Sequence, residues 1–252
     1  MRLVNRTALK AQIGAVGYAR LPGRAAIDFF ECHDAEAWRQ FVGSWDDLGA
    51  DLYMADGGRY RRRRHAAFRV VDGVAERKPH QPHFQSRDYN RLNGDVQRWF
   101  TPVSEAVASS PVTQAILRQC ASLFTAVSGR PADQPWHVEL HQFRIEASAE
   151  TEGRPTPEGR HRDGVDWVLV MLIARDNVSE GLTEISTPGG EALGRFTLDV
   201  FGDAVFLDDH RVLHGVTPIT PIDPAALAHR DALVVTFLAQ RVDAPAGWLV
   251  GF

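Results

Sequence analysis

The chain has 252 residues, of which 44% are hydrophobic and 24% charged, with a formal net charge of −4. That balance suits a folded globular protein with a sizeable core and argues against a polyanion-binding surface over the whole molecule. Two cysteines, Cys32 and Cys120, exclude a disulfide framework and a cysteine-rich zinc site, and no apolar run approaches the length a membrane helix needs.

The N-terminus carries Arg2, Arg6 and Lys10 without an apolar stretch long enough for a signal peptide. A reducing, cytoplasmic setting is therefore expected. Residues 7–21 and 35–48 show helical patterns, the second with Asp34 as N-cap. The clearest helix spans 111–128. Ser110 caps it, Pro111 suits its first position and Gly129 ends it. Val112, Ile116, Cys120, Leu123, Phe124 and Val127 then share one face, as a core-facing helix requires.

From Trp136 onward the pattern becomes short strands punctuated by glycine-rich turns: 136–145, 167–174, 182–187, 195–200, 204–208, 212–219 and 232–240. Seven such strands point to a sandwich or barrel rather than to βαβ units. The expectation is a mainly β protein with flanking helices around a jelly-roll, or double-stranded β-helix, core. One domain over 1–252 is expected, with a helical and mixed part to about residue 130 and a jelly-roll part over about 131–245. The Gly- and Pro-rich stretch 153–159 reads as a loop at the mouth of the roll.

Just before the apolar strand at 167–174 comes Pro157-Glu158-Gly159-Arg160-His161-Arg162-Asp163-Gly164. His161 and Asp163 are two residues apart, so in extended chain they point to one side. An imidazole and a carboxylate so placed can hold two adjacent corners of an octahedral metal, and a third ligand must come from elsewhere. His214, on a later predicted strand, is one candidate; His210, four residues earlier, is another that the strand pattern leaves open. Two histidines and one carboxylate leave three metal positions open, the ligand set of non-haem iron(II) oxygenases. A structural zinc site would close its tetrahedron instead. Two open positions can take a chelating 2-oxo acid and the third O2. Arg230, after the Pro-rich stretch 218–229, opens the last predicted strand and can pair with the distal carboxylate of such an acid.

Other residues invite a role and a plainer reading together. In a strand, the run Arg61-Arg62-Arg63-Arg64-His65 would alternate faces, so Arg62 and Arg64 could point into the site and hold a substrate carboxylate; otherwise they form a solvated face. The run lacks the aromatic interleaving of a nucleic-acid surface. Gln142 and Arg144 share a strand face and are candidates to line the pocket, Gln142 beside the cosubstrate and Arg144 beside the substrate, or else to serve hydrogen bonding at the core edge. Glu158 can meet a substrate amine or be an ordinary loop carboxylate. His137, Glu139 and His141 share a face and make a rival metal set.

Four segments carry a resemblance: 141–145, 157–166, 207–218 and 230–237. Together they resemble the bacterial L-isoleucine hydroxylases of the iron(II)/2-oxoglutarate dioxygenase superfamily, with looser likeness at Tyr60-Arg61-Arg62-Arg63-Arg64 and Phe84-Gln85-Ser86. The resemblance covers most of the chain after about residue 50. It implies a double-stranded β-helix and hydroxylation, or sulfoxidation, of a free aliphatic L-amino acid or close derivative. It implies iron(II) on His161, Asp163 and His214, favouring His214 over His210. It also implies 2-oxoglutarate as co-substrate on Arg230, O2 as oxidant, and succinate and CO2 as co-products. The alternatives are the same chemistry on a peptide, carrier-bound or nucleic-acid substrate, and a non-oxidative cupin-like isomerase or binding protein. The partner expected is a small molecule, not nucleic acid or a membrane; oligomeric state is not legible.

Overall fold

The computed structural model describes residues 6–90, 92 and 94–241. Helix α1 (Arg6–Val16), strand β1 (Tyr18–Leu21), α2 (Gly23–Phe30) and α3 (Ala35–Gly43) come first, and a 3-10 turn, Ser44–Asp47, follows. Asp34 caps α3 as expected, accepting from the Glu36 and Ala37 amides. Next come β2 (Arg61–Val71), β3 (Val74–Arg77), β4 (Thr101–Pro102), α4 (Glu105–Ala108) and α5 (Pro111–Ser128). The second half holds β5 (Trp136–Ala147), β6 (Trp167–Asp176), β7 (Val178–Glu180), β8 (Leu182–Ser186) and β9 (Ala192–Thr197). It ends with β10 (Ala204–Asp208), β11 (Leu213–Val216), β12 (Ile219–Pro221) and β13 (Ala228–Ala239). Among the described residues no helix is long and apolar enough to cross a membrane.

The large sheet runs β1-β10-β6-β13-β5-β2-β3, with β4 beside β2; smaller sheets are β11-β8-β9 and β12-β7. This is the expected double-stranded β-helix. Strand alternation divides the large sheet into two faces. Ala66, Leu140, Val235, Leu169 and Phe206 form one row across paired strands and pack toward the helices. There α5 anchors the core, with Phe124 stacked on Trp167 at 5.1 Å and edge-on to Phe237 at 5.0 Å. Val168, Leu172, Val205 and Leu207, of opposite parity, pack with Ile185 of β8 between the sheets. The concave face that remains carries the polar side chains described below.

Several boundaries differ from expectation. The helix over 7–21 stops at Val16, because Gly17 adopts a left-handed φ of 81°. A Cβ there would lie 2.8 Å from Val212 Cγ1. Tyr18–Leu21 then pairs with β10. The helix over 35–48 tightens to 3-10 after Gly43. The strand placed at 195–200 lies at Ala192–Thr197, and 212–219 splits into β11 and β12, which pair with β8 and β7 respectively. The last strand starts at Ala228, so Arg230 sits inside it. Residues 1–5, 91, 93 and 242–252 of the expected domain lie outside the described residues.

Candidate active site

A cavity of about 640 Å³ opens on the concave face. His161, Asp163 and His214 line it. The backbones of His161 and His214 form an antiparallel bridge, with N–H···O distances of 2.9 and 3.0 Å, which brings a loop histidine beside a β11 histidine. Their rings lie 4.6 Å apart. Asp163 reaches between them, Oδ1 at 3.7 Å from His161 Nε2 and Oδ2 at 3.6 Å from His214 Nε2. Those separations exceed hydrogen-bond length. They suit donor atoms that surround one ion, and the three ligand atoms all lie within 4.8 Å of one another. His161 Nδ1 donates to the Gly159 carbonyl at 3.1 Å, so Nε2 is the nitrogen that a metal would take in place of its proton.

The charges agree with this geometry. Burial alone would lower His161, but Asp163 and Glu158 beside it push it up to about 9. Burial, with His161 adding, pushes His214 down to about 4. Burial would raise the Asp163 carboxyl, yet its two histidines hold it well below the usual carboxylate range. Glu158 joins the group, its Oε1 at 3.6 Å from His161 Nε2 and its Oε2 buried without a hydrogen-bond partner. Arg230 lines the same cavity, buried, with Nε and Nη2 unpartnered.

Two residues that set the pose of Asp163 escaped the sequence reading. The buried Asp209 carboxylate accepts the amides of Asp163 (3.0 Å), Gly164 (2.8 Å) and Val165 (3.1 Å), closing the turn that aims Asp163. No periodicity marks Asp209; only its place in the segment leading to His214 hints at it. Gln85 donates to the Asp163 carbonyl and to Oδ1, both at 3.2 Å, and accepts from Arg98 at 2.9 Å. Its signal was the loose likeness at 84–86. Asp209→Ala is expected to leave three part-buried amides without their acceptor, costing about 1–3 kcal/mol. Metal affinity is expected to fall roughly 10–100-fold, as for other groups that orient a ligand. Melting and metal titration check this; an unchanged metal affinity would deny Asp209 its orienting role.

The remaining candidates go elsewhere. Arg62, Arg64, Gln142 and Arg144 lie on the helix-side face, where pairing sets Arg62 against Arg144 and Arg64 against Gln142. Arg62 binds Glu146 (2.6 Å), Arg64 binds Asp47 (2.7 Å), Gln142 donates to Ser44 Oγ (2.7 Å), and Arg144 grips both Asp231 oxygens (2.8 and 2.7 Å). The expectation that Arg62 and Arg64 face the cavity is corrected: Arg61 and Arg63 do. A shift of one residue exchanges the faces of a strand. His210 is 68% exposed at its side chain, pairs with Asp166 at 3.0 Å and does not line the cavity that holds Asp163. His137, Glu139 and His141 do share the cavity face. The tighter grouping around Glu139, however, is His65, His83 and His141.

A family model described as 2OG-Fe dioxygenase matches residues 43–236, a span containing His161, Asp163, His214 and Arg230. The chain is 26% identical over 238 residues to a 3(1)-hydroxy-L-isoleucine 4-dioxygenase of Pantoea ananatis (strain AJ13355), covering 88% of this chain and 91% of that protein. It is 27% identical over 163 residues to an L-isoleucine-4-hydroxylase of Bacillus thuringiensis, covering 62% and 64%. Among solved structures, a bsmA homolog from Methylobium petroleophilum PM1 superposes with a TM-score of 0.85 at 36% identity, over 96% of each chain.

Proposed function

The chain belongs to the 2OG-Fe dioxygenase family, and from that premise we propose that it hydroxylates, or sulfoxidises, a free aliphatic L-amino acid or a close derivative. As a member of that family it is an enzyme that uses iron(II), 2-oxoglutarate and O2. The residues fit the metal: two imidazoles and one carboxylate converge, His161 is held in the tautomer that ligates through Nε2, and three sides remain for exchangeable ligands. They fit the co-substrate too, since the unpartnered Nε and Nη2 of Arg230 are donors awaiting an anion. On this reading His161, Asp163 and His214 hold iron, and Arg230 pairs with the distal carboxylate of 2-oxoglutarate.

The bound iron and 2-oxoglutarate supply the oxidising power for an unactivated C–H or a thioether, with succinate and CO2 as co-products. The chain's own part is to position and to shield. Asp209 and Gln85 orient Asp163. Val170 and Val234, paired across β6 and β13, offer an apolar floor on which an aliphatic side chain rests without stripping water from a polar group. The cavity volume lies in the range of about 300–1,000 Å³ usual for small-molecule sites. A cytoplasmic setting belongs to this reading, which the two buried, free thiols suit.

One observation carries the substrate class: the likeness, over most of both chains, to a Pantoea dioxygenase named for a hydroxylated isoleucine. The test is succinate release by the iron-loaded protein with 2-oxoglutarate and a panel of L-amino acids, with mass analysis of the product. Stimulation by an aliphatic member and a product one oxygen heavier are expected. Turnover of 2-oxoglutarate that no amino acid stimulates would remove the substrate assignment.

A further inference from the structure

At the other end of the concave face from Arg230 lies a second charged group of side chains. Arg230 pairs with Ile145 and Thr236 pairs with Glu139, so six residues, about 20 Å at ~3.3 Å each, separate the two ends along β13. Glu139 lines the cavity there; Arg98 lines the same cavity, as does Arg63, whose backbone lies at the level of Ala232 and whose side chain reaches toward Glu139 as far as His141.

Glu139 is ringed by histidines. His83 Nδ1 donates to its Oε2 at 2.5 Å, while the Nε2 atoms of His65, His141 and His137 stand at 3.4, 3.6 and 3.8 Å. Burial pushes His83 down to about 4 and lowers His141 as well, so these rings are neutral near pH 7. Burial would raise Glu139, but the imidazoles around it hold it well below the usual carboxylate range. Among the described residues no lysine or arginine comes within 4.0 Å of this carboxylate. Among the described residues no carboxylate comes within 4.0 Å of Arg63 or Arg98 either. Arg98 is 2% exposed, and its Nε is unpartnered; so is that of Arg63. Buried charges of both signs thus border one cavity without neutralising each other, an expensive arrangement in an empty site.

A divalent cation is the first occupant to weigh, since His65, His83, Glu139 and His141 offer ligand atoms within 4.8 Å. Arg63 argues against it. Its guanidinium donates to His141 Nδ1 at 2.9 Å. The His141 proton therefore sits on Nε2, the atom that faces Glu139, and that nitrogen has no lone pair for a metal. Two adjacent guanidinium groups also disfavour a further cation of charge two. A zwitterion satisfies all three groups at once.

We infer that Glu139 and Arg98 form the seat for the head group of the substrate: Glu139 receives the α-ammonium and Arg98, with Arg63 beside it, the α-carboxylate. This rests on the amino-acid reading above. It adds that the head must be unblocked, so that amides, esters, N-acyl derivatives and peptides are rejected. Gln85 spans from Arg98 Nη2 to Asp163 Oδ1, so one side chain ties the seat to the proposed iron site.

The test is equilibrium binding by calorimetry without O2, to protein loaded with iron(II) and 2-oxoglutarate. The probes are L-isoleucine, L-leucine and L-methionine, each with its primary amide and its deaminated acid. The native protein is expected to bind the amino acids at least ~30-fold more tightly than either analogue, as sites that leave buried charges unpaired do. Glu139→Gln is expected to lose the preference over the deaminated acid and keep that over the amide. Arg98→Met is expected to do the reverse, so each variant controls for the fold of the other. Uniform weakening of all ligands, or preferences unchanged in both variants, overturns the seat alone. No binding by any of the three amino acids overturns the substrate reading and the seat with it. A second bound metal per chain, lost in Glu139→Gln, would assign the cluster to a cation and overturn the seat.

Discussion

Replacement of Asp163 by alanine is expected to lower metal affinity at least ~100-fold and to bring amino-acid-dependent succinate formation below detection. Groups that merely orient a ligand are worth roughly 10–100-fold; removal of the one anionic ligand must exceed that. Asp163 stands 3.7 and 3.6 Å from the two histidines, and without it two neutral imidazoles face a divalent cation with no charge to offset its desolvation. The effect is readable without turnover. A ligand present at 100 times its dissociation constant stabilises the fold by about 2.7 kcal/mol. Iron(II), or a redox-inert divalent substitute, should therefore raise the melting temperature of the native protein and leave that of Asp163→Ala unmoved. His210→Ala is the matched control: its imidazole faces Asp166 at the surface and should bind metal normally. Native metal affinity in Asp163→Ala, or its loss in His210→Ala, would refute the triad.

Arg230→Met is expected to raise the dissociation constant of 2-oxoglutarate roughly 30- to 1,000-fold, the equivalent of about 2–4 kcal/mol for a buried charge pair. Metal affinity should be unchanged. The sign of the stability effect is the sharper test. Burial, with Arg175 adding, pushes the guanidinium down to about 10, and Nε and Nη2 lack partners. A base whose folded value is depressed binds fewer protons than the unfolded chain as pH rises above that value, so its cost is fully present below about pH 10 and is relieved above it. The ligand-free Arg230→Met protein should consequently melt no lower than the native one at neutral pH. Arg230→Lys should retain part of the affinity, because a point charge replaces a two-pronged donor. Equal 2-oxoglutarate affinity in native and Met proteins would remove Arg230 from the co-substrate site.

The cluster of His161, Asp163 and His214, the proposed metal ligands, was legible because ligand chemistry constrains spacing. His161 and Asp163 share a side in extended chain, and a histidine on a later strand completes a known donor set. The helix over Pro111–Ser128 was legible from its cap, its proline and its apolar stripe, all found in place. The first third was less so. Tyr18–Leu21 continues the apolar pattern of the helix before it, and only the left-handed Gly17 and the open edge of β10 turn it into a strand.

What the sequence by itself determined was therefore a donor set and its carrier: two histidines and one carboxylate, a downstream arginine in the same cavity, and a β-rich second half to hold them. The tertiary structure decided which side chains meet that set. Four consecutive arginines give β2 polar residues of both parities, so hydropathy cannot tell one face from the other. The pairing of Arg61 with Ile145 and of Arg63 with Phe143 turns those two into the cavity. The same pairing sends Arg62, Arg64, Gln142 and Arg144 to the helix side. His83 and Arg98 are paired by an isolated bridge outside the named strands, and Asp209 accepts from an Asp163 amide far from it in sequence, contacts that no local pattern encodes. Strand faces follow from hydrogen-bond register, and register is a property of two strands together rather than of either one.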